Sequence, residues 1–439
     1  MLWQPSLPES YTKAAPGELS GRIDARRREL GDKLVILGHH YQTDDVIRHA
    51  DFTGDSLKLS QIAAEQVARR GATHVVFCGV HFMAETADML TPESVAVILP
   101  DLSAGCSMAD MADHDETVEA WTLLHAALDE LARAAGKGKR WNGRIVPVTY
   151  VNSTAAIKAF VGERGGAACT SSNARSVLDW ALAGGETPRR PDEEIKVLFL
   201  PDQHLGRNTS AQLGIDTGTQ TALYDPRATA RGAELGGMTR EQLRDARVLL
   251  WAGHCSVHKL FRPEHIEQIR GVEGALPPGK RTKVLVHPEC AKEVVDRADL
   301  AGSTEYIIRT IDAAPSGSSW AVGTEFHLVA RLAKSAKARG VSVRILSDCQ
   351  CLCTTMYRID EPHLLWVLDH LAAGRTVNQI SVHAKVREPA LLALRRMLAL
   401  TGGGAGSTNA PETASASRKS SAAGAPERAA SAMADANVD

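Results

Sequence analysis

No apolar run in this 439-residue chain reaches the roughly 18 to 20 residues that a membrane-spanning helix needs. An excess of either charge is also missing. Lysine plus arginine total 50 against 52 acidic residues, a net charge of -2, so nothing draws the chain broadly toward nucleic acid or an anionic membrane. The opening stretch "MLWQPSLPESYTKAAPGELS" has neither the basic start nor the apolar core of a secretory signal. A cytoplasmic protein acting on small molecules is the expectation. Cysteines number eight, and in a reducing compartment they point to packing, metal ligation or catalysis rather than disulfides. The paired C-x2-4-C spacing of a structural zinc site is missing as well; the chain has C-x-C-x-C at 349, 351 and 353 instead.

What is present is a 44% hydrophobic chain in which short β-branched runs alternate with amphipathic stretches. "KLVILG", "THVVFCG", "VAVILP", "RIVPVTYV", "IKVLFLP", "ARVLLWAG", "TKVLVHP", "SSWAVGT" and "VSVRIL" read as strands buried on both faces, with helices such as "SLKLSQIAAEQVARR" between them. The class is α/β with parallel sheets. From about Thr401 onward the sequence is small and polar and predicts a disordered tail. Polar clusters follow the strands: His39 to Gln42, His81 to Glu85, Cys106, Asn152 to Thr154, Asp202 to His204, Cys255 to His258, His287 to Cys290, and Cys349 to Cys353. Ligands of open parallel sheets bind outside the carboxyl ends of the strands, so these clusters predict one composite site. So many strands exceed what one open sheet presents to a single crevice, which favours about three smaller α/β units with converging carboxyl edges. No repeat is visible at the level of residues.

Cys78, inside "HVVFCGV", reads as a buried small hydrophobe. Cys169 and Cys290 precede helix starts and read as local packing. Cys106 follows a strand and a glycine turn, where a thiolate meets backbone N–H donors, although a plain loop cysteine fits too. Cys255 lies between His254 and His258 directly after a strand. Cysteines two apart on an extended chain share a side, yet their Cα separation of about 6.6 Å sits at the edge of disulfide geometry. A soft-metal or iron-sulfur centre drawing one thiolate from each of several distant segments is then favoured, consistent with Cys106, Cys255 and Cys353. His287 and Glu289 in "HPEC" suggest an acid/base pair, and a capping carboxylate is the plainer alternative. Ser56, Ser171, Ser172, Ser303 and Thr304 stand at expected helix starts, where hydroxyls and free N–H groups cradle carboxylate or phosphate. Tyr41, Tyr150 and Asn152 add neutral hydrogen-bonding groups.

Taken together, "HHYQ", "GDSLKLS", "FCGVHFMAETA", "LPDLSAGCSMAD", "YVNSTAAIKA", "CTSSNA", "FLPDQHLGRN", "GHCSVH", "HPEC", "AGSTEY", "GTEFHLVARL" and the Cys353-x-x-Met356 step resemble the quinolinate synthase family, in order from about residue 30 to 390. The resemblance implies three similar α/β domains about a pseudo-threefold axis: 29–100 with about 360–400, then 101–245, then 246–358. A partly helical extension, 1–28, precedes them and the tail, 401–439, follows. It implies a 4Fe-4S cluster on Cys106, Cys255 and Cys353, and condensation of iminoaspartate with dihydroxyacetone phosphate to quinolinate in NAD biosynthesis. The imine would come from an aspartate oxidase or an aspartate dehydrogenase. By matching position, His39, Ser56, Tyr150, Asn152, Ser171, His258, Ser303 and Thr304 would bind substrate, and Glu289, His287 and Tyr41 would move protons. Another cluster-dependent hydro-lyase is the rival enzyme, though such enzymes usually carry a C-x2-C pair. A redox-sensing or metal-binding module without turnover is the rival outside enzymes.

Overall fold

The structure, a computed structural model, describes residues 4–348 and 350–402. Its strands form three small sheets. The first contains β1 (Leu34–His39), β2 (Phe52–Gly54), β3 (His74–Cys78) and β4 (Ala96–Ile98); the second β5 (Gly143–Tyr150), β6 (Ala167–Cys169), β7 (Glu194–Leu200), β8 (Thr221–Tyr224) and β9 (Val248–Trp251). The third holds β10 (Lys283–Val286), β11 (Leu300–Ala301), β12 (Ser319–Gly323) and β13 (Ser342–Ile345). All these strands pair in parallel. Only β14 (Gln379–Ile380) runs antiparallel, on the outer edge of β4. The fold is thus the expected α/β class with three small sheets. Val35, Val75, Leu198, Leu249 and Leu285 are fully buried, as continuous apolar strands covered on both faces require.

The sheets share a strand order that the residues do not reveal. The first reads β2-β1-β3-β4 and the third β11-β10-β12-β13. The second reads β6-β5-β7-β9, with β8 added at its far edge. Counted within each unit, the order is second, first, third, last. The carboxyl end of the last strand leads each time to one cysteine: Cys106, Cys255 or Cys353. The first strands lead to His39 and Tyr41, to Tyr150 and Asn152, and to His287 and Glu289.

Two helical braces hold the units. Helix Pro16–Leu30 lies against helix Glu361–Ala372, where Asp369 accepts hydrogen bonds from Arg26 Nε (2.6 Å), Arg22 Nη2 (3.1 Å) and Tyr11 Oη (2.9 Å). Helix Ala384–Gly402 instead runs along helix Ala155–Glu163 of the second unit. Gly162 permits that approach, because a methyl there would collide with the Pro389 carbonyl. Arg396 Nη1 fastens the pair by donating to the carbonyls of Gly162 (2.9 Å) and Gly166 (2.7 Å). Among the described residues, no helix is long and apolar enough to cross a membrane. The expected tail from 401 lies almost wholly outside the described residues; Thr401 and Gly402 belong to the end of the last helix.

Candidate active site

Cys106, Cys255 and Cys353 line one cleft, which encloses about 650 Å³ counted with its open solvent. Their surroundings repeat. Each cysteine stands just ahead of a 3-10 turn, Ala109–Met111, His258–Leu260 or Met356–Arg358. The carbonyl of each accepts the N–H four residues on, at 3.1, 3.2 and 3.0 Å. Each sulfur receives backbone N–H groups from the residues two and three further along: Met108 and Ala109, Val257 and His258, Thr355 and Met356. Those N–H pairs favour a thiolate, yet burial outweighs them. It pushes Cys106 up to about 12 and raises Cys255 and Cys353 too, with the Glu289 charge adding to the rise at Cys255. Three such thiols facing one space, none of them in a disulfide, are a donor set that a multiply charged soft metal centre would ionise and hold.

The acid/base groups are bound to one another across the sheets. His258 Nδ1 lies 2.6 Å from Glu289 Oε2, and His258 Nε2 is 3.2 Å from Thr324 Oγ1. That hydroxyl is also 3.0 Å from Tyr41 Oη, which in turn lies 3.3 Å from Thr304 Oγ1. The His287 ring stacks on His258 with centroids 4.5 Å apart. Two first strands end alike: the Tyr41 N–H donates to His39 Nδ1 (3.1 Å) and the Glu289 N–H to His287 Nδ1 (3.3 Å). Each bond directs the other ring nitrogen, Nε2, to carry the proton of the neutral imidazole.

Burial pushes Glu289 upward, but the adjacent His258 and His287 and a hydrogen bond from Tyr150 prevail and hold it at about 2. Burial, with His258 beside it, holds His287 down at about 3, and burial depresses His39 well below the usual histidine value. Tyr41 and Tyr150 are raised well above the ordinary phenol value by burial and by the Glu289 charge. The same two causes raise Asp202 far above a normal carboxyl. The Glu289 carboxylate therefore sits beside the phenols of Tyr41 and Tyr150, the imidazoles of His258 and His287, and an Asp202 carboxyl that holds its proton more tightly than usual.

Residues 21–399 match the family described as NadA: Quinolinate synthetase A protein. Quinolinate synthase of Acidobacterium capsulatum is 49% identical over 395 residues, covering 90% of this chain and 96% of that protein. Those of a Nocardioides species and of Streptomyces coelicolor are 50% and 49% identical, each over 90% of this chain and over 92% and 91% of their own lengths. The chain belongs to the quinolinate synthase family.

Within this family member the cleft brings together His39, Tyr41, Ser56, Tyr150, Asn152, Ser171, His258, His287, Glu289 and Thr304 with the three thiols. Ser303 does not line it. Its hydroxyl accepts the Tyr306 N–H and caps helix Thr304–Asp312. Ser172 does not line it either, and Ser56, at the start of helix Ser56–Arg70, does. Residues 350–355 form no strand, so the strand alternation expected of Cys351 and Cys353 does not apply. Cys351 is buried beside Val286, Ala321 and Leu346, leaving Cys353 at the cleft. Cys349 lies outside the described residues. Cys78, Cys169 and Cys290 are fully buried among apolar side chains.

Sequence reasoning named Asp202 only as part of a post-strand cluster, without a role, and missed Thr324 and the apolar wall. Thr324 and Asp202 both follow a third strand, β12 and β7, so their positions carried a signal once the strand order was known. Asp202 Oδ1 accepts the Leu205 N–H at 2.7 Å, and its buried Oδ2 has no protein partner. Val80, Phe82, Met83, Val151, Met108 and Met356 make the apolar wall, and Asp55, Thr170 and Thr355 complete the lining.

Proposed function

We propose that the chain condenses iminoaspartate with dihydroxyacetone phosphate to quinolinate, releasing one phosphate and two waters. Carbon, nitrogen and phosphorus balance, and the ring gains its unsaturation by loss of water and phosphate, with no external oxidant. The observation that supports this best is the set of three thiols, one from each sheet, sharing a cleft with Glu289 and His258. Cys106, Cys255 and Cys353 would hold a 4Fe-4S cluster, which when bound supplies a Lewis-acidic iron that takes up negative charge on a substrate oxygen.

The remaining work falls to the chain. Glu289, ionised throughout the working range, accepts a proton from the carbon next to a carbonyl or imine; His258, 2.6 Å away, shares that charge. Tyr41 and Tyr150 stay neutral and donate hydrogen bonds to developing oxyanions. Asn152 Oδ1 is buried without a protein partner, an acceptor suited to an imine N–H. Ser56, Ser171 and Thr304 give hydroxyls for carboxylates and phosphate. The apolar wall keeps bulk water from an imine that hydrolyses readily. Such an unstable substrate calls for a supplier close by, an aspartate oxidase or an aspartate dehydrogenase, in the cytoplasm. Anaerobic purification tests the reading. A brown protein with about four irons and four sulfides that forms quinolinate from the two substrates supports it; zinc in their place, or no pyridine product, refutes it.

A further inference from the structure

We propose that the cluster-free protein binds a single divalent ion of the zinc type through Cys255, His258 and Glu289, and that this ion and the cluster exclude each other. Donor atoms of these three residues all lie within 4.8 Å of one another, close enough for one ion. Among the described residues no other group of three or more histidine, cysteine or acidic side chains meets that distance. The other two thiols, Cys106 and Cys353, are outside it. Cys255 therefore belongs to two overlapping donor sets, one spread over three sheets and one compact.

A second observation points to a missing cation. His258 and Glu289 are 1% and 2% exposed, so water does not serve them. The His258 Nδ1 atom is buried with no aligned hydrogen-bond partner although Glu289 Oε2 is only 2.6 Å away. When His258 Nε2–H is given to Thr324 Oγ1, 3.2 Å away, Nδ1 turns a lone pair toward the carboxylate. Two acceptors that close need a positive centre, a proton or a metal ion, and the misalignment of Nδ1 with Oε2 favours an ion set off their line. Thr324 meanwhile orients the ring through Nε2, the usual duty of an outer partner of a metal-bound histidine. One thiolate, one imidazole and one carboxylate suit zinc, and three protein ligands leave a fourth position open. An ion there occupies one of the cluster's three thiols and the carboxylate assigned to proton transfer.

Full-length protein stripped of iron with chelator, kept reduced and anaerobic, is titrated with Co(II) as the spectroscopic stand-in and then with zinc. The expected result is a tetrahedral cobalt spectrum with the sulfur-to-metal intensity of a single thiolate, displaced by zinc at one ion per chain. His258→Ala and Glu289→Gln weaken binding by at least about tenfold, whereas Cys106→Ser and Cys353→Ser leave it unchanged. Zinc-loaded protein then fails to take up iron and sulfide until chelator removes the zinc. Intensity for three thiolates, no saturable binding, or full cluster uptake in the presence of zinc overturns the proposal. The first of these is read on unsubstituted protein, so a variant that misfolds does not decide it. Iron and sulfide content of protein never exposed to zinc tests the cluster reading separately, and either result can stand without the other.

Discussion

Tyr41, at the end of the first strand of one sheet, places its hydroxyl 3.0 Å from that of Thr324, which follows the third strand of another. Thr324 passes the link to His258, whose Nδ1 lies 2.6 Å from Glu289, so a chain of close polar contacts runs from the first sheet to the third. Tyr41→Phe keeps the ring edge-on to His39, 4.7 Å between centroids, and removes only the donor. On the proposed chemistry, kcat/KM falls about 100-fold or more while the melting temperature barely moves. Thr324→Val strands His258 Nε2, while Tyr41 Oη keeps Thr304 Oγ1 at 3.3 Å, and costs about 1–3 kcal/mol for the buried group left unpaired. Steady-state kinetics beside denaturant unfolding separate the two.

The thiols sort by where they point. Serine at 106, 255 or 353 is expected to abolish the cluster, read as loss of iron and sulfide from anaerobically purified protein. Serine at 78 or 169, fully buried in strands, is expected to leave metal content intact and cost about 1–3 kcal/mol for burying a hydroxyl. Equal iron in all five variants contradicts the assignment.

Acid is expected to destabilise the fold earlier than its carboxylates alone would require. His287 titrates near 3 in the folded state against 6.5 ordinarily, and His39 is also strongly depressed, so both take up protons on unfolding. Where the unfolded chain binds more protons, stability rises with pH. The rise spans about 3 to about 6.5 for His287, and Glu289, at about 2, adds the same sign between about 2 and the usual carboxylate value. Urea midpoints measured from pH 4.5 to 7.5 should climb, and His287→Gln should flatten the climb. His114→Gln, at a half-exposed surface position, should not.

Asp202 offers a contrast between charge and capping. Burial and the Glu289 charge raise its carboxyl well above the usual range, and its Oδ1 caps helix Gln203–Gln212 through the Leu205 N–H. Asp202→Asn retains the acceptor and the neutral state, so its unfolding midpoint should match the parent. Asp202→Ala loses the cap and should cost about 0.5–2 kcal/mol. An asparagine variant as unstable as the alanine one would mean that Asp202 is ionised.

The strands and the polar residues after them were legible because both are local: an apolar run of five or six residues and the cluster at its carboxyl end. The shared strand order was not, since β1 pairs with β3 and β5 with β7 through contacts that no short window contains. The neighbouring hydroxyls Ser303 and Thr304 look alike as text. Only the backbone turn makes the first a cap and sends the second to the cleft. Likewise, alternation put Cys351 and Cys353 on one side, a rule that holds for strands and fails in the irregular segment the chain adopts there. Asp202 was visible after β7, but the rise of its carboxyl rests on burial and on Glu289, 87 positions away in the chain.

The third thiol stands at residue 353 of 439. A ribosome-bound chain therefore cannot offer all three sulfurs until most of its length has emerged. On the proposed ligand set, loading of inorganic cofactor would come late in biogenesis, and a product truncated before residue 353 would lack one of its three thiols.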